Sequence, residues 1–415
     1  MFLHLFLIFI IIILIAIIIF IILYKKDKFT YIEKNKNTSI RKALSFLENN
    51  QLYCPATPIK NKFIAWYWEG AGFANTKMSM DIIFSLSLIY DRTLILPPKG
   101  YWHHMPSSNC CQIEDFYDFD ALNTTFSIIT AKDWFSKFEP TKSEADYFDY
   151  FQEKDELDID SNCQGMTSIW DTCHNIFNNK NKNNIWYINI RMFGNFDDYF
   201  RNYENIQYLR KKLFDGFKFK SEIINITTEC LNKLNFNKLG TYNALHYRAG
   251  DFITDWHKKY LFSNSAKQEQ LKQLISLYKN IDLPLLILTN ENNPNNLKWI
   301  TDEISNSIIL NTTVYYSSQE PKLISMIELL TACTANMFIG TEGSTFSHYI
   351  MILRGFLSNY FQEINGTPYF LQPDGYKNNI KNTKEWNCDK GCWNLLNPER
   401  WTKLESVENL PISNN

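Results

Sequence analysis

Residues 63–98 read FIAWYWEGAGFANTKMSMDIIFSLSLIYDRTLILPP, and this stretch decides the fold. An apolar run from Phe63 to Trp68 predicts a strand, and Glu69 to Asn75 a glycine turn. Thr76 to Asp91 carries apolar residues at three-to-four spacing, the mark of a helix, and Arg92 to Pro98 is a second strand closed by Pro97 and Pro98. Together they form one βαβ unit. The turn approaches a dinucleotide fingerprint but misses it twice. Asn75 stands where the third glycine belongs, and the second strand ends Leu96-Pro97-Pro98-Lys99, without the acid that would hold a ribose.

Outward from this unit the pattern thins and then returns. Residues from about 100 to 185 hold acidic, aromatic stretches such as DFYDFDALN and EKDELDIDSN, and read as loops and short elements inserted in the first half. Helical spacing resumes near Tyr199–Phe214 and Ile223–Leu234. The second half alternates regularly. YNALHYR, LPLLILT, TVYYS and NMFIGT are strand candidates. Ala266–Tyr278, Asn295–Ile304, Lys322–Ala332 and STFSHYIMILR are helix candidates. Strands alternating with helices predict parallel sheets covered on both faces. A crossover at Phe236-Asn237-Lys238-Leu239-Gly240 divides the body into two α/β halves, with a ligand site expected at the carboxyl ends of the strands.

The chain has 415 residues, 45% of them hydrophobic and 16% aromatic, which suits two globular domains rather than a disordered chain. A net charge of −2 without a long basic block argues against nucleic acid as a partner. Phe2 to Leu23 is apolar except for His4, long enough for a membrane helix and too long for an ordinary cleaved signal. The expectation is a transmembrane anchor over residues 1–24 and a polar stem over 25–60. Two domains follow, an acceptor-side one at 61–235 and a nucleotide-sugar-binding one at 236–415. Lys25, Lys26 and Lys28 after the apolar run favour a cytosolic body by the positive-inside rule. Nine cysteines, among them the adjacent Cys110 and Cys111, favour an oxidising lumen instead. The balance gives a single-pass protein of the ER or Golgi with its catalytic body luminal. Cys388 and Cys392 lack a second ligand pair, so no metal site is expected.

Three stretches fall at predicted strand ends. EGAGFAN opens a helix, where glycines allow close backbone approach and amide groups favour anionic oxygens. His246-Tyr247-Arg248-Ala249-Gly250-Asp251 ends a strand, placing a planar guanidinium where it can meet a phosphate pair, with Asp251 able to orient it. Gly340-Thr341-Glu342-Gly343-Ser344-Thr345-Phe346-Ser347 runs from a strand through a turn rich in glycine and hydroxyls into a helix, a setting for phosphate oxygens.

In order and spacing these stretches resemble the GDP-fucose protein O-fucosyltransferases over about residues 61–356. The resemblance rests on the glycine turn, on Asp91-Arg92-Thr93-Leu94-Ile95-Leu96-Pro97-Pro98, on His246 and Arg248, and on Gly340, Ser344, Thr345 and Phe346. It implies a GT-B-like fold of two Rossmann-like domains facing a cleft. It also implies a metal-independent, inverting transfer of fucose from GDP-fucose to a Ser or Thr hydroxyl. By the same resemblance Arg248 and Glu69 are catalytic, Arg248 holding the leaving diphosphate and Glu69 taking the acceptor proton. The donor would be bound by Gly72, Phe73, Asn75, His246, Asp251, Glu328, Ser344, Thr345 and Phe346. Arg-Ala-Gly-Asp departs from the doubled arginine of some members, and Glu69 stands one residue further from its turn than in members that use a glutamate there. A different acceptor or donor sugar, or an inactive binding scaffold, is the alternative.

Overall fold

In this computed structural model the described residues are 39–49, 55–66, 72–100, 111–153, 156–158, 169–189, 196–200, 203–236, 238–248, 283–291 and 297–310, with 293, 295, 321–336, 338–340, 344–347, 349–350, 352–354 and 357. The strands are β1 (Phe63–Trp66), β2 (Thr93–Leu96), β3 (Ile128–Thr130), β4 (Glu156–Asp158), β5 (Ile185–Asn189), β6 (Asn243–Tyr247), β7 (Leu285–Thr289), β8 (Ser307–Ile309) and β9 (Phe338–Ile339). The helices are α1 (Ser39–Leu44), α2 (Phe73–Ile89), α3 (Phe119–Thr125), α4 (Ala131–Phe138), α5 (Tyr147–Gln152) and α6 (Ile169–Asn179). Then follow α7 (Phe196–Tyr199), α8 (Ile206–Gly216), α9 (Ser221–Lys233), α10 (Lys298–Thr301) and α11 (Pro321–Cys333).

The strands form two sheets, in the orders β3-β2-β1-β5-β4 and β8-β7-β6-β9. Every pairing in both is parallel. This is the two-domain, GT-B-like α/β arrangement. In the first sheet the chain steps outward from β1 to β2 and β3, then reverses to the other side of β1. The second sheet does the same, stepping from β6 to β7 and β8 and returning to place β9 on the far side of β6. The switch points therefore lie between β1 and β5 and between β6 and β9, and ligands of such sheets bind beyond the strand ends there.

Both faces of the first sheet are covered, which explains why β1 is apolar without alternation. Ile64 and Trp66 face one core with α2, while Phe63 and Ala65 join Ile95, Trp134, Phe135 and Phe151 in a second core under α4 and α5. α2 is itself buried on nearly all sides, and several of its polar residues are satisfied within the helix. Ser85 donates to the Asp81 carbonyl at 2.7 Å, Ser87 to the Phe84 carbonyl at 2.7 Å, and Lys77 pairs with Asp81 one turn on. Burial holds the Lys77 ammonium below its ordinary value and the Asp81 carboxyl above its own, and each partner opposes the other's shift. Asp91, at φ 50°, turns the chain out of α2.

The next residue, Arg92, shows what the Asp-Arg-Thr-Leu signature does in this fold. It is 1% exposed. Its guanidinium donates to the Phe63 carbonyl at 3.3 Å and to the Asn183 carbonyl at 2.9 Å, and lies 3.5 Å from the centre of the Trp186 ring. It thereby ties the starts of β1, β2 and β5 together, a scaffolding role.

Several expectations need correction. The stretch at 100–185 supplies β3 and β4, and IWYIN at 185–189 is β5, so this region builds much of the first sheet. The edge of the second sheet is β8 at Ser307–Ile309; the expected strand TVYYS lies outside the described residues, as does the helix expected at Ala266–Tyr278. No helix among the described residues is long and apolar enough to cross a membrane, and Phe2–Leu23 lies outside them. The expected transmembrane anchor, membrane partner and single-pass ER or Golgi location are accordingly withdrawn. Among the described residues Cys333 is a buried free thiol.

Candidate active site

At the second switch point, register decides what comes together. β6 and β9 pair at Ala244↔Phe338 and Leu245↔Ile339, so His246 and then Arg248 emerge from β6 beside Gly340, where β9 ends. The His246 ring nitrogen Nδ1 and the Ser347 hydroxyl lie 2.7 Å apart, and the Phe346 ring is 5.1 Å from the imidazole. Gly340 makes this approach feasible. A Cβ there would stand 2.6 Å from the Ser347 Cβ and 2.7 Å from its Oγ, closer than non-bonded atoms approach. His246 and Ser347 thus bind the end of β6 to the helical residues that follow Ser344.

Ser344 is 2% exposed, and its hydroxyl is buried without a hydrogen-bond partner. An unpaired buried polar atom carries a desolvation cost that a bound ligand can relieve. Thr345 and Phe346, the next residues in the chain, are partly exposed, as is Arg248 just after β6. Glu328, on α11, is also partly exposed; burial of its carboxyl lifts it to about 8.

At the first switch point Gly72 is the amino-terminal cap of α2, with its carbonyl accepting from the Thr76 amide at 3.1 Å. The Asn75 side-chain oxygen is a second buried acceptor without a partner. Phe73 has a different environment from that expected of a donor contact. Its ring is buried against Phe116 at 5.5 Å, Tyr117 at 6.3 Å and Tyr349 at 5.8 Å, where the two halves meet. Glu69 and Asp251 lie outside the described residues. The structure therefore gathers His246, Arg248, Ser344, Thr345 and Phe346 at one end of the second sheet, and sets Gly72 and Asn75 at the corresponding end of the first. Ser347 carries no local mark of its role; the glycine seven residues before it is the available signal.

The sequence profile of the GDP-fucose protein O-fucosyltransferases matches residues 66–357. The chain belongs to that family. The profile runs from the last residue of β1 through the second sheet and covers every described candidate residue, and it makes the protein one of the fucosyltransferase-type glycosyltransferases. No curated protein matches in sequence. Similar solved structures include POFUT1 in complex with GDP, at 13% identity and a TM-score of 0.43 over 71% of this chain and 95% of that one. A mutant of Arabidopsis thaliana FUT1 in complex with GDP gives 12% and 0.44 over 79% and 77%. The alpha-1,6-fucosyltransferase NodZ soaked with GDP-fucose gives 13% and 0.43 over 71% and 93%.

Proposed function

We propose that this family member transfers fucose from GDP-fucose to a hydroxyl acceptor with inversion at the anomeric carbon. The observation that carries the reading is the unpartnered, buried Ser344 hydroxyl in the segment that His246 and Ser347 tie to the end of β6, the strand that Arg248 follows. In the transfer, the acceptor oxygen bonds to the anomeric carbon of fucose while the bond from that carbon to the β-phosphate oxygen breaks. A base takes the acceptor proton, and GDP leaves with the negative charge. Arg248 meets that charge with a fork of donors, and Ser344, Thr345 and the backbone at Phe346 supply further hydrogen bonds. The attraction of a fixed cation for a departing diphosphate grows as the bond breaks, which is where transition-state stabilisation is won. No step of this scheme calls for a metal.

Glu69 is the proposed base, with Gly72, Asn75 and the backbone of Phe73, whose ring is buried in the core, at the sugar side and His246, Asp251 and Glu328 completing the donor site. In support, Asn75 keeps a buried, unpartnered acceptor at the start of α2. The family description, GDP-fucose protein O-fucosyltransferase, supports a protein oxygen as acceptor, and a Ser or Thr hydroxyl is the one proposed. A glycan hydroxyl is tested alongside it.

The test is release of GDP from GDP-fucose by the purified protein without added divalent metal, with panels of protein and glycan acceptors. Arg248→Ala is expected to lower turnover roughly 10²–10³-fold. Turnover that survives this change removes the assigned role of Arg248, and GDP-mannose used in preference to GDP-fucose overturns the donor.

A further inference from the structure

In a parallel pair the hydrogen bonds alternate evenly from strand to strand, so one rung fixes the next. β1 and β2 pair at Phe63↔Thr93 and Ile64↔Leu94, and the Thr93 amide donates to the Lys62 carbonyl at 2.8 Å. By that alternation the Trp66 amide is due to donate to the Ile95 carbonyl. The β1–β2 pairing stops before that rung. Each strand nevertheless stays paired on its other side, β1 with β5 to Trp66↔Ile188 and β2 with β3 to Leu96↔Thr130.

The Tyr147 hydroxyl occupies the place of the missing rung. It accepts from the Trp66 amide at 3.1 Å and donates to the Ile95 carbonyl at 3.1 Å, with the Trp66 carbonyl at 3.3 Å. One hydroxyl supplies both the acceptor and the donor that the two strands would otherwise give each other. The side chain is fully buried, packed against Phe148 and Phe151 at the start of α5. Burial raises its pKa well above the ordinary value, so it remains a neutral donor.

We propose that Tyr147 is a positioning residue for the transfer reaction: its hydroxyl wedges the carboxyl ends of β1 and β2 apart and sets the direction in which the chain leaves β1 toward the start of α2. The inference rests on the proposed function for its catalytic consequence, since Glu69 follows Trp66 by three residues in sequence. Without the hydroxyl, either the direct Trp66–Ile95 rung closes and the strand ends move together, or an amide and a carbonyl are left buried and unpaired. Both outcomes disturb the strand end, and displacements near an ångström lower rates by up to about 100-fold. Because the proposed diphosphate contacts belong to the second sheet, the wedge acts on turnover rather than on GDP affinity.

The experiment compares the parent with Tyr147→Phe and with Tyr150→Phe. The second variant removes a hydroxyl bonded to Glu139 at 2.7 Å on the same short helix. Calorimetric titration with GDP, kcat and KM for GDP-fucose, and amide hydrogen exchange at Trp66 are measured for each. Tyr147→Phe is expected to lower kcat about tenfold or more, to leave GDP affinity within about twofold, and to change exchange at Trp66. Tyr150→Phe should match the parent in all three. Unchanged kcat in Tyr147→Phe overturns the positioning role, as does a loss of GDP affinity equal to the loss of kcat. If the parent binds GDP but never turns over GDP-fucose, the proposed function fails instead. Exchange at Trp66 then decides the wedge, and a value unaltered by Tyr147→Phe overturns it.

Discussion

Glu328 shows how one residue's surroundings set its chemistry. Burial lifts its carboxyl from 4.5 to about 8, so the folded protein holds a proton there that the unfolded chain has released. A group whose folded pKa is raised contributes its stability below the unfolded value and loses it as pH rises through the folded one. Stability should therefore decline between about pH 4.5 and pH 8 on account of this carboxyl. Glu328→Gln is expected to flatten that decline in denaturant midpoints measured across the range; an unchanged slope would show the carboxyl to be solvated in solution. In the proposed donor site a carboxyl kept neutral below about pH 8 would present both a donor and an acceptor to the diphosphate rather than a repelling charge.

Among elements, α11 ends in a way that local sequence does not announce. The Arg354 guanidinium, from further along the chain, caps carbonyls of the last turn of α11 and of the residues that follow it. It donates to the carbonyls of Ala332 at 3.2 Å, Cys333 at 3.1 Å, Ala335 at 2.7 Å and Asn336 at 3.1 Å. Arg354→Met keeps the volume and removes all four bonds. The expected loss is about 2–4 kcal/mol, from carbonyls left buried and unpaired, read as a drop in the denaturant midpoint; a loss below 0.5 kcal/mol would mean water replaces the guanidinium.

The same element scale shows what could be read without coordinates. The βαβ unit at 63–98, the strand ending at Tyr247 and the helix at Pro321–Cys333 are legible because each is long, apolar and punctuated by Gly or Pro. β3, β4 and β8 are three-residue strands, too short for a period of two to register. Of the site, Arg248 and Ser344 stood out because they sit at strand ends beside glycines. Tyr147, Ser347 and Arg354 act through partners distant in sequence, and no local pattern names such partners. Tyr147 in particular looks like one more aromatic in an aromatic insertion.

At the scale of the molecule the two halves share one core, which runs from Ile64 and Phe84 through Tyr117 and Tyr349 to Ala244 and Leu286. Polar contacts cross the seam as well. The Tyr117 and Tyr349 hydroxyls are 3.1 Å apart, and Lys322 pairs with Asp115 at 2.8 Å. Thermal unfolding of the region spanning both sheets should therefore be a single transition. Lys322→Ala is expected to lower it without splitting it, and two resolved transitions in calorimetry would show that the halves melt separately.

α9 extends that continuity. It precedes the crossover in sequence, yet it packs on α11 of the second half and on α1 at the other end of the described chain. For anyone building chimeras to exchange acceptor preference between relatives, the suture is thereby fixed. A join at the crossover near residue 236 would press a foreign α9 against the native α11. The second half should instead be transplanted with Ser221–Lys233, and with Ser39–Leu44, as one inheritance.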